Sequence, residues 1–391
     1  MSSSITRNDN KLRSLNRRNF LFAAALTGAG ATLSTLPLVA KAAEVQDKPQ
    51  PHNKGEGGPM LTTKRILGSG NHQLEVSALS YGCMGIHSGR GPAPERPAML
   101  RLIRQAVERG ITFLDTAEGY GPFINEELLG EAVAPFRKEV IISTKFSGDF
   151  STGRMVRDNS PSRIQRACEA SLKRLKTDVI DIYYMHRMDK KTPIEDVAGA
   201  VGDLIRQGKV RHFGLSEVAA NTIRKAHAIT PVTAIQSDYS LMFRKPETEV
   251  FPTIQELGIG YVAYSPIGRG FLGGGLTEYT KFDLKNDIRG AWPRFTPEAL
   301  RANTRFLEVL NEFGKTRGMT SAQIAIAWIL AKYPFIVPLF GTTKLSHLEE
   351  DIRSADFSLS AADIKELEEK TGEIPIIGER YDAANQSSAE Y

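Results

Sequence analysis

The chain has 391 residues, 41% hydrophobic and 24% charged, the balance of a globular protein of one large domain or two small ones. Its two cysteines, Cys83 and Cys168, exclude a disulfide framework and a CxxC metal or redox motif. The formal net charge of +5 argues for no anionic partner: residues 1–42 hold six Lys or Arg against one Asp, so 43–391 are neutral and nucleic-acid binding is set aside.

In chain order, a basic stretch ends in Arg17-Arg18-Asn19-Phe20-Leu21, and an uncharged segment runs from Phe20 to Ala40. It closes on Ala40-Lys41-Ala42, a small-x-small pattern that a signal peptidase accepts. Paired arginines before Phe-Leu have the form of a twin-arginine signal. Gly28, Gly30 and Pro37 keep the segment too weakly apolar for a membrane span. Residues 1–42 are therefore expected to address the folded protein to the twin-arginine export machinery and the periplasm. The other reading is an uncleaved arm on a cytoplasmic protein. Residues 43–60, with Pro49, Pro51, Gly55, Gly57, Gly58 and Pro59, read as a flexible linker. No later stretch is long and apolar enough for stable membrane insertion.

From Thr62 the pattern alternates between short β-rich runs and amphipathic helical stretches. Arg65–Gly68 and Leu74–Val76, split by a Gly/Asn/His turn, predict a hairpin capping the floor of a barrel. Strands are predicted at 76–83, 111–115, 139–145, 179–185, 211–215, 233–237, 260–265 and 335–340. Helices are predicted near 97–109, 124–135, 161–175, 194–207, 220–228, 248–257 and 320–332, with 347–354 and 361–371 following the last strand. Eight β runs with helices between them predict an α/β fold, a (β/α)8 TIM barrel over 61–375 with extra C-terminal helices. An open doubly wound sheet is the weaker alternative. Residues 376–391 read as a C-terminal tail.

Chemistry in such barrels collects at the C-terminal rim, where strands end. The second predicted strand ends in Asp115-Thr116-Ala117-Glu118-Gly119-Tyr120, the third in Ser143-Thr144-Lys145 and the fourth in Met185-His186. Asp115, Tyr120, Lys145 and His186 thus come from three adjacent strand ends. Reducing a carbonyl needs a hydride at carbon and a proton at oxygen. A phenol titrates near pH ~10, so Tyr120 would need the Lys145 cation beside it, and Asp115 would keep that ammonium charged. His186 would hydrogen-bond and orient the substrate oxygen. No His/Cys/carboxylate cluster shows metal-ligand spacing, so no metal is expected.

These residues sit in DTAEGYGPFINEELLGEAV (115–133), STKF (143–146), YYMHR (183–187), GKVRHFGLSE (208–217), IQSDYSL (235–241), AYSPIGRGFLGG (263–274) and GTTKLSHLEED (341–351). In that order the chain resembles the aldo-keto reductase family from about Thr62 to Thr371. The resemblance implies that Asp115, Tyr120, Lys145 and His186 form the catalytic tetrad and that the cofactor is NADP. It implies a carbonyl compound as substrate. It makes Ser265, Pro266, Ile267, Gly268, Arg269 and Gly270 part of a loop folding over the pyrophosphate, with Arg269 as charge partner. Tyr264 would stack on the nicotinamide, and Ser216 and Gln236 would hold its carboxamide. The literal G-x-G-x-x-G at Gly268, Gly270 and Gly273 is no Rossmann signature, because Gly274 and Gly275 prolong the loop and no helix opens there.

After the eighth predicted strand, Gly341, Thr342, Thr343 and Lys344 precede a helix start, an anion site by its backbone amides. Lys344 and His347 there suit the 2′-phosphate of NADP, and Glu350 and Asp351 belong to the same cofactor stretch. Two positions depart from the family. Glu217 stands where many relatives carry Asn, and Asp351 stands where Asn usually meets the adenine. The substrate rim is expected to include Met84, Ile86, His87 and the loop around Trp292. A nucleotide-binding accessory subunit with little turnover is the competing function, and a metal-dependent hydrolase the weaker one.

Overall fold

The computed structural model describes residues 58–391 apart from Ser88, Arg154 and Tyr391, so the expected export signal and nearly all of the linker lie outside the described residues. Lys64–Leu67 (β1) and Leu74–Ser77 (β2) pair antiparallel, Arg65 opposite Val76. Eight parallel strands follow: Ser80–Gly82 (β3), Phe113–Asp115 (β4), Ile141–Phe146 (β5), Ile180–Met185 (β6), Val210–Ser216 (β7), Val232–Asp238 (β8), Gly260–Tyr264 (β9) and Ile336–Phe340 (β10). They close in the order β10-β3-β4-β5-β6-β7-β8-β9. This is the predicted (β/α)8 barrel. The hairpin seats on its floor, where a Cβ at Gly260 would fall 2.7 Å from Leu67 Cα.

One predicted strand, 76–83, is two. The Ser77 hydroxyl donates to Leu79 O at 2.7 Å and accepts from Thr112 N and Phe113 N at 3.0 and 3.1 Å. That knot turns the chain between the hairpin and β3.

Between the strands run α1 (Arg96–Glu108), α2 (Ile124–Val133), α3 (Pro161–Leu175), α4 (Ile194–Arg206), α5 (Ala220–Ile229), α6 (Pro246–Glu249), α7 (Phe251–Leu257), α8 (Pro297–Lys315) and α9 (Ser321–Lys332). After β10 come α10 (Leu345–Ile352), α11 (Ala361–Gly372) and α12 (Ala383–Gln386). Helix α3 shows why they pack. Pro161 fits its first turn, Lys176 ends it in the left-handed region at φ 53°, and Ile164, Ala167, Cys168, Ser171, Leu172 and Leu175 repeat on one buried face. Cys168 is thus a packing residue. The helix predicted over 248–257 is α6 and α7, broken where Pro252 cannot donate. Helix α8, 19 residues long, was not predicted, and buried Asn303 interrupts its apolar stripe. Among the described residues no helix is long and apolar enough to cross a membrane.

Candidate active site

Side chains alternate across a strand, so every second residue faces the barrel axis. Phe113, Ile182, Tyr184, Ala234, Val262, Val337 and Leu339 form the axial core, with Leu67 and Val76 from the hairpin below. The next residues of the same parity are Asp115, His186, Gln236 and Tyr264, and Lys145 follows Ile141 in the same way. On β4, β5, β6, β8 and β9 the inward file is apolar lower in the barrel and polar toward the C-terminal rim.

At one corner Lys145 Nζ donates to Asp115 Oδ1 at 2.5 Å, to Thr116 O at 2.7 Å and to the Tyr120 hydroxyl at 3.3 Å. Asp115 Oδ2 accepts from Ser143 Oγ at 2.6 Å and Gln236 Nε2 at 2.8 Å, so the carboxylate is fully engaged. His186 Nδ1 shares a 2.8 Å hydrogen bond with Ser147 Oγ, and its ring meets Tyr120 edge-on at 5.8 Å. The loop carrying Tyr120 is pinned at both sides. Thr116 donates to Asn125, which donates to Cys83 O, while Glu118 accepts from Ser147 N and pairs with Arg163. The four residues expected to form the tetrad are therefore in one hydrogen-bonded and ring-packed group.

The protonation states follow from burial and neighbours. Burial alone would discharge Lys145, but Asp115 and Tyr120 overcome it and hold its pKa above the ordinary lysine value. Burial dominates at Tyr120 and pushes the phenol up; Lys145 opposes this without winning. Lys145 thus acts in the anticipated direction, yet the proton stays on Tyr120. Burial, with Arg187, Lys145 and Arg157, drives His186 well below its ordinary value, which leaves a neutral imidazole. Among the described residues no group of three or more His, Cys, Asp or Glu is poised for a metal.

The residues expected to hold cofactor surround this corner. Ser216 accepts from Arg187 Nη1 at 2.9 Å and Gln236 is already on Asp115, so both carboxamide partners are engaged within the wall. Ser265, Pro266, Ile267 and Gly268 lead into a 3-10 turn over Gly268–Gly273, kinked through the left-handed region at Arg269 and Gly270. Arg269 faces inward, 3.0 Å from Asp238 Oδ2 and between the Trp292 and Tyr381 rings, 4.6 Å from each centroid. After the neighbouring strand β10, Gly341, Thr342, Thr343 and Lys344 form an accessible ledge at the start of α10. A Cβ at Gly341 would fall 2.8 Å from Gly82 O, so the ledge lies tight against β3. Lys344 supplies no side-chain cap to α10, which leaves the helix start to an anion. His347 is exposed, Glu350 is half-buried on the same helix and Asp351 is buried. Ile86 and Trp292, expected on the substrate rim, are 1% and 6% exposed and serve packing as well.

Sequence reasoning missed the chain's end. Of residues 376–391, read as a tail, 376–390 return over the rim. Asn303 on α8 exchanges two hydrogen bonds with Ile377, at 2.9 and 3.0 Å. Arg380, 1% exposed, donates to Glu217 Oε1 at 3.0 Å and Oε2 at 2.6 Å. Glu217 Oε1 also accepts from the Tyr264 hydroxyl at 2.6 Å and Asp238 N at 2.9 Å, and Tyr264 and Tyr381 join hydroxyl to hydroxyl. Arg187 and Arg380 outweigh the burial of Glu217 and keep it ionised below the ordinary range. Glu217, a departure in the sequence, is thus the acid that receives Arg380. Arg187 was legible beside His186; nothing local marks Arg380 or Tyr381.

The chain has known relatives. The family model described as the aldo/keto reductase family matches residues 78–371. The probable aldo-keto reductase 1 of Glycine max is 41% identical over 316 residues, which cover 80% of this chain and 90% of that protein. The solved glycerol dehydrogenase of Gluconobacter oxydans superposes with a TM-score of 0.72 at 25% identity, over 79% of this chain and 96% of that one. The aldo-keto reductase of Bacillus halodurans, in its holo form, gives 0.65 at 26% identity, over 78% and 95%.

Proposed function

The chain belongs to the aldo/keto reductase family of oxidoreductases, and from that premise we propose that it reduces aldehydes or ketones with NADPH, Tyr120 giving the proton to oxygen. The observation that carries this is the buried Asp115–Lys145–Tyr120 chain, with neutral His186 against the Tyr120 ring. The reduced nicotinamide, when bound, supplies hydride to the carbonyl carbon. As charge grows on the carbonyl oxygen, Tyr120 passes its proton to it, and the phenolate left behind faces the Lys145 ammonium at hydrogen-bond distance. Asp115 holds Lys145 protonated through that step. His186 donates from its ring to the same oxygen and steers the substrate.

NADP rather than NAD rests on the uncapped ledge at Gly341–Lys344, with Lys344 and His347 beside it and no carboxylate in 341–348. Absorbance at the NADPH band across a panel of aldehydes and ketones tests the reaction. Oxidation of NADPH in step with carbonyl loss is expected. Tight nucleotide binding without turnover on any carbonyl would return the accessory-subunit reading.

We also propose that residues 1–42 export the folded enzyme to the periplasm, on the strength of Arg17-Arg18 and Ala40-Lys41-Ala42. Lysine lacks the planar five-donor fork of arginine, so changing both arginines to Lys should strand uncleaved enzyme in the cytoplasm. N-terminal sequencing of fractionated cells should find Ala43 at or near the start of the periplasmic wild type. Intact Met1 or Ser2 on a cytosolic wild type would defeat the assignment.

A further inference from the structure

We infer that residues 377–390 are a strap that sets the nicotinamide wall, with Arg380 and Tyr381 as positioning residues that act through Glu217 and Tyr264. The inference rests on the reading of Tyr264 as the ring against the nicotinamide. The strap is fixed at both ends. Its start is held by Asn303 through Ile377, and by Arg294, whose Nε donates to Gly378 O at 3.1 Å and whose N donates to Glu379 O at 3.2 Å. At its far end Glu390 N donates to Glu217 O at 3.0 Å, and the Glu390 carboxylate accepts from Ala219 N at 2.8 Å and Thr222 Oγ1 at 3.2 Å.

The far end and the Arg380 side chain therefore both bear on the segment that carries Glu217. That residue occupies the left-handed region at φ 57°, which costs a non-glycine residue energy and persists only where neighbours impose it. Its side chain is fully buried and receives four hydrogen bonds: two from Arg380, one from Tyr264 and one from Asp238 N. A buried carboxylate with that many donors has one orientation, and it fixes the Tyr264 hydroxyl in turn. Tyr381 holds the same hydroxyl from the other side. The strap also grips the glycine-rich loop: Arg269 Nη1 donates to Arg380 O at 3.2 Å while its guanidinium lies against Tyr381. The ring that would face the nicotinamide and the loop that would cover the pyrophosphate are thus tied to one short segment. None of these contacts touches Lys145 or Tyr120. Loosening the strap should weaken nucleotide binding and spare the proton transfer.

The test is made on the full-length chain with NADPH as probe. Trp292 meets Tyr381 edge-on at 5.5 Å and is one of two tryptophans, so its fluorescence reports binding, with Trp292→Phe as the blank. Tyr381→Phe removes one hydroxyl and should raise the NADPH Kd ~3–10-fold, as one hydrogen bond is worth. Its melting temperature and its kcat at saturating NADPH should stay near wild type. Arg380→Met leaves Glu217 buried without its salt-bridge partner and with two of its four hydrogen bonds lost, so it should both lower the melting temperature and raise Kd by more than tenfold. Arg380→Lys should recover part of the Kd. Arg380→Met with Glu217→Gln removes both charges and should restore melting but not Kd. If Tyr381→Phe and the double variant bind NADPH like wild type, the strap is only a cover and the inference is overturned. If the wild type itself binds no nucleotide, the cofactor reading fails and takes the inference with it.

Discussion

At the catalytic corner, Lys145 reaches Asp115 and Tyr120 across 30 and 25 positions of sequence, and His186 reaches Ser147 across 39. At the nicotinamide wall, Arg380 reaches Glu217 across 163 positions and Tyr381 reaches Tyr264 across 117. The corner is assembled by neighbouring βα units, whose strand register already sets Asp115 beside Ser143 and Lys145 beside Tyr184. The wall needs residues 377–390 to return from beyond β10. A site built by adjacent strands is fixed as soon as the barrel closes, whereas one held by a segment outside the barrel keeps an element that can be loosened separately. Chemistry placed at the corner and nucleotide retention placed at the wall should therefore respond to different substitutions.

The largest expected effect tests that separation from the corner side. Tyr120→Phe keeps the ring that packs against His186 and removes only the hydroxyl held by Lys145. Its kcat for carbonyl reduction should fall on the order of 10²-fold or more, the usual worth of general acid catalysis. NADPH affinity by fluorescence titration should hardly change. A kcat near wild type across an aldehyde panel would remove Tyr120 from the role, and a large loss of affinity would merge the two regions into one.

A smaller effect is expected at the ledge, which follows β10 between β9 and β3. Lys344→Glu puts a carboxylate at the uncapped start of α10, where the 2′-phosphate is proposed to lie. NADPH Kd should rise on the order of tenfold, equivalent to about 1.4 kcal/mol, with NADH shifted much less. Equal losses for the two nucleotides would move the phosphate site elsewhere.

The same contrast explains what the sequence discloses. Strand parity is a local signal, so Asp115, Lys145, His186, Gln236 and Tyr264 can be read as one inward file from a period of two. The family stretches extend this to the loops that follow each strand. The boundary near Ser77 was missed because a side-chain hydroxyl turns the chain there, and hydroxyl knots leave no periodicity. Helix α8 was missed because Asn303, buried to hold Ile377, looks like a polar break in the stripe. Arg380 and Tyr381 were missed for a stronger reason. A buried Arg announces itself only through its partner, and Glu217 lies too far away in sequence for any window to join them. The same distance hid Glu217 itself, which reads as an unexplained departure until the strap is in place.

The corner and the ledge should also oppose one another in their dependence on pH. His186 at the corner has its folded pKa pushed well below the ordinary 6.5 by burial and by Arg187, Lys145 and Arg157. The unfolded chain therefore binds a proton that the folded one refuses, and stability is lost as pH falls below that value. Asp351, buried on α10, is shifted the other way: burial first, and Glu350 next, raise it well above the ordinary 3.8. Here the folded chain binds the extra proton, so stability is lost as pH rises from about 3.8 through the folded value. Asp351→Asn removes that cost with almost no change of shape, and it should raise the melting temperature by about 2 °C at pH 8. The gain should shrink steadily as pH falls toward about 3, below the ordinary 3.8, where Asp351 is protonated in both states. Scanning calorimetry of the two proteins over that range decides it. A gain independent of pH would mean that the carboxyl is not held against ionisation. A loss at every pH would mean that the carboxylate has a donor it needs, and the ledge would then resemble the corner after all.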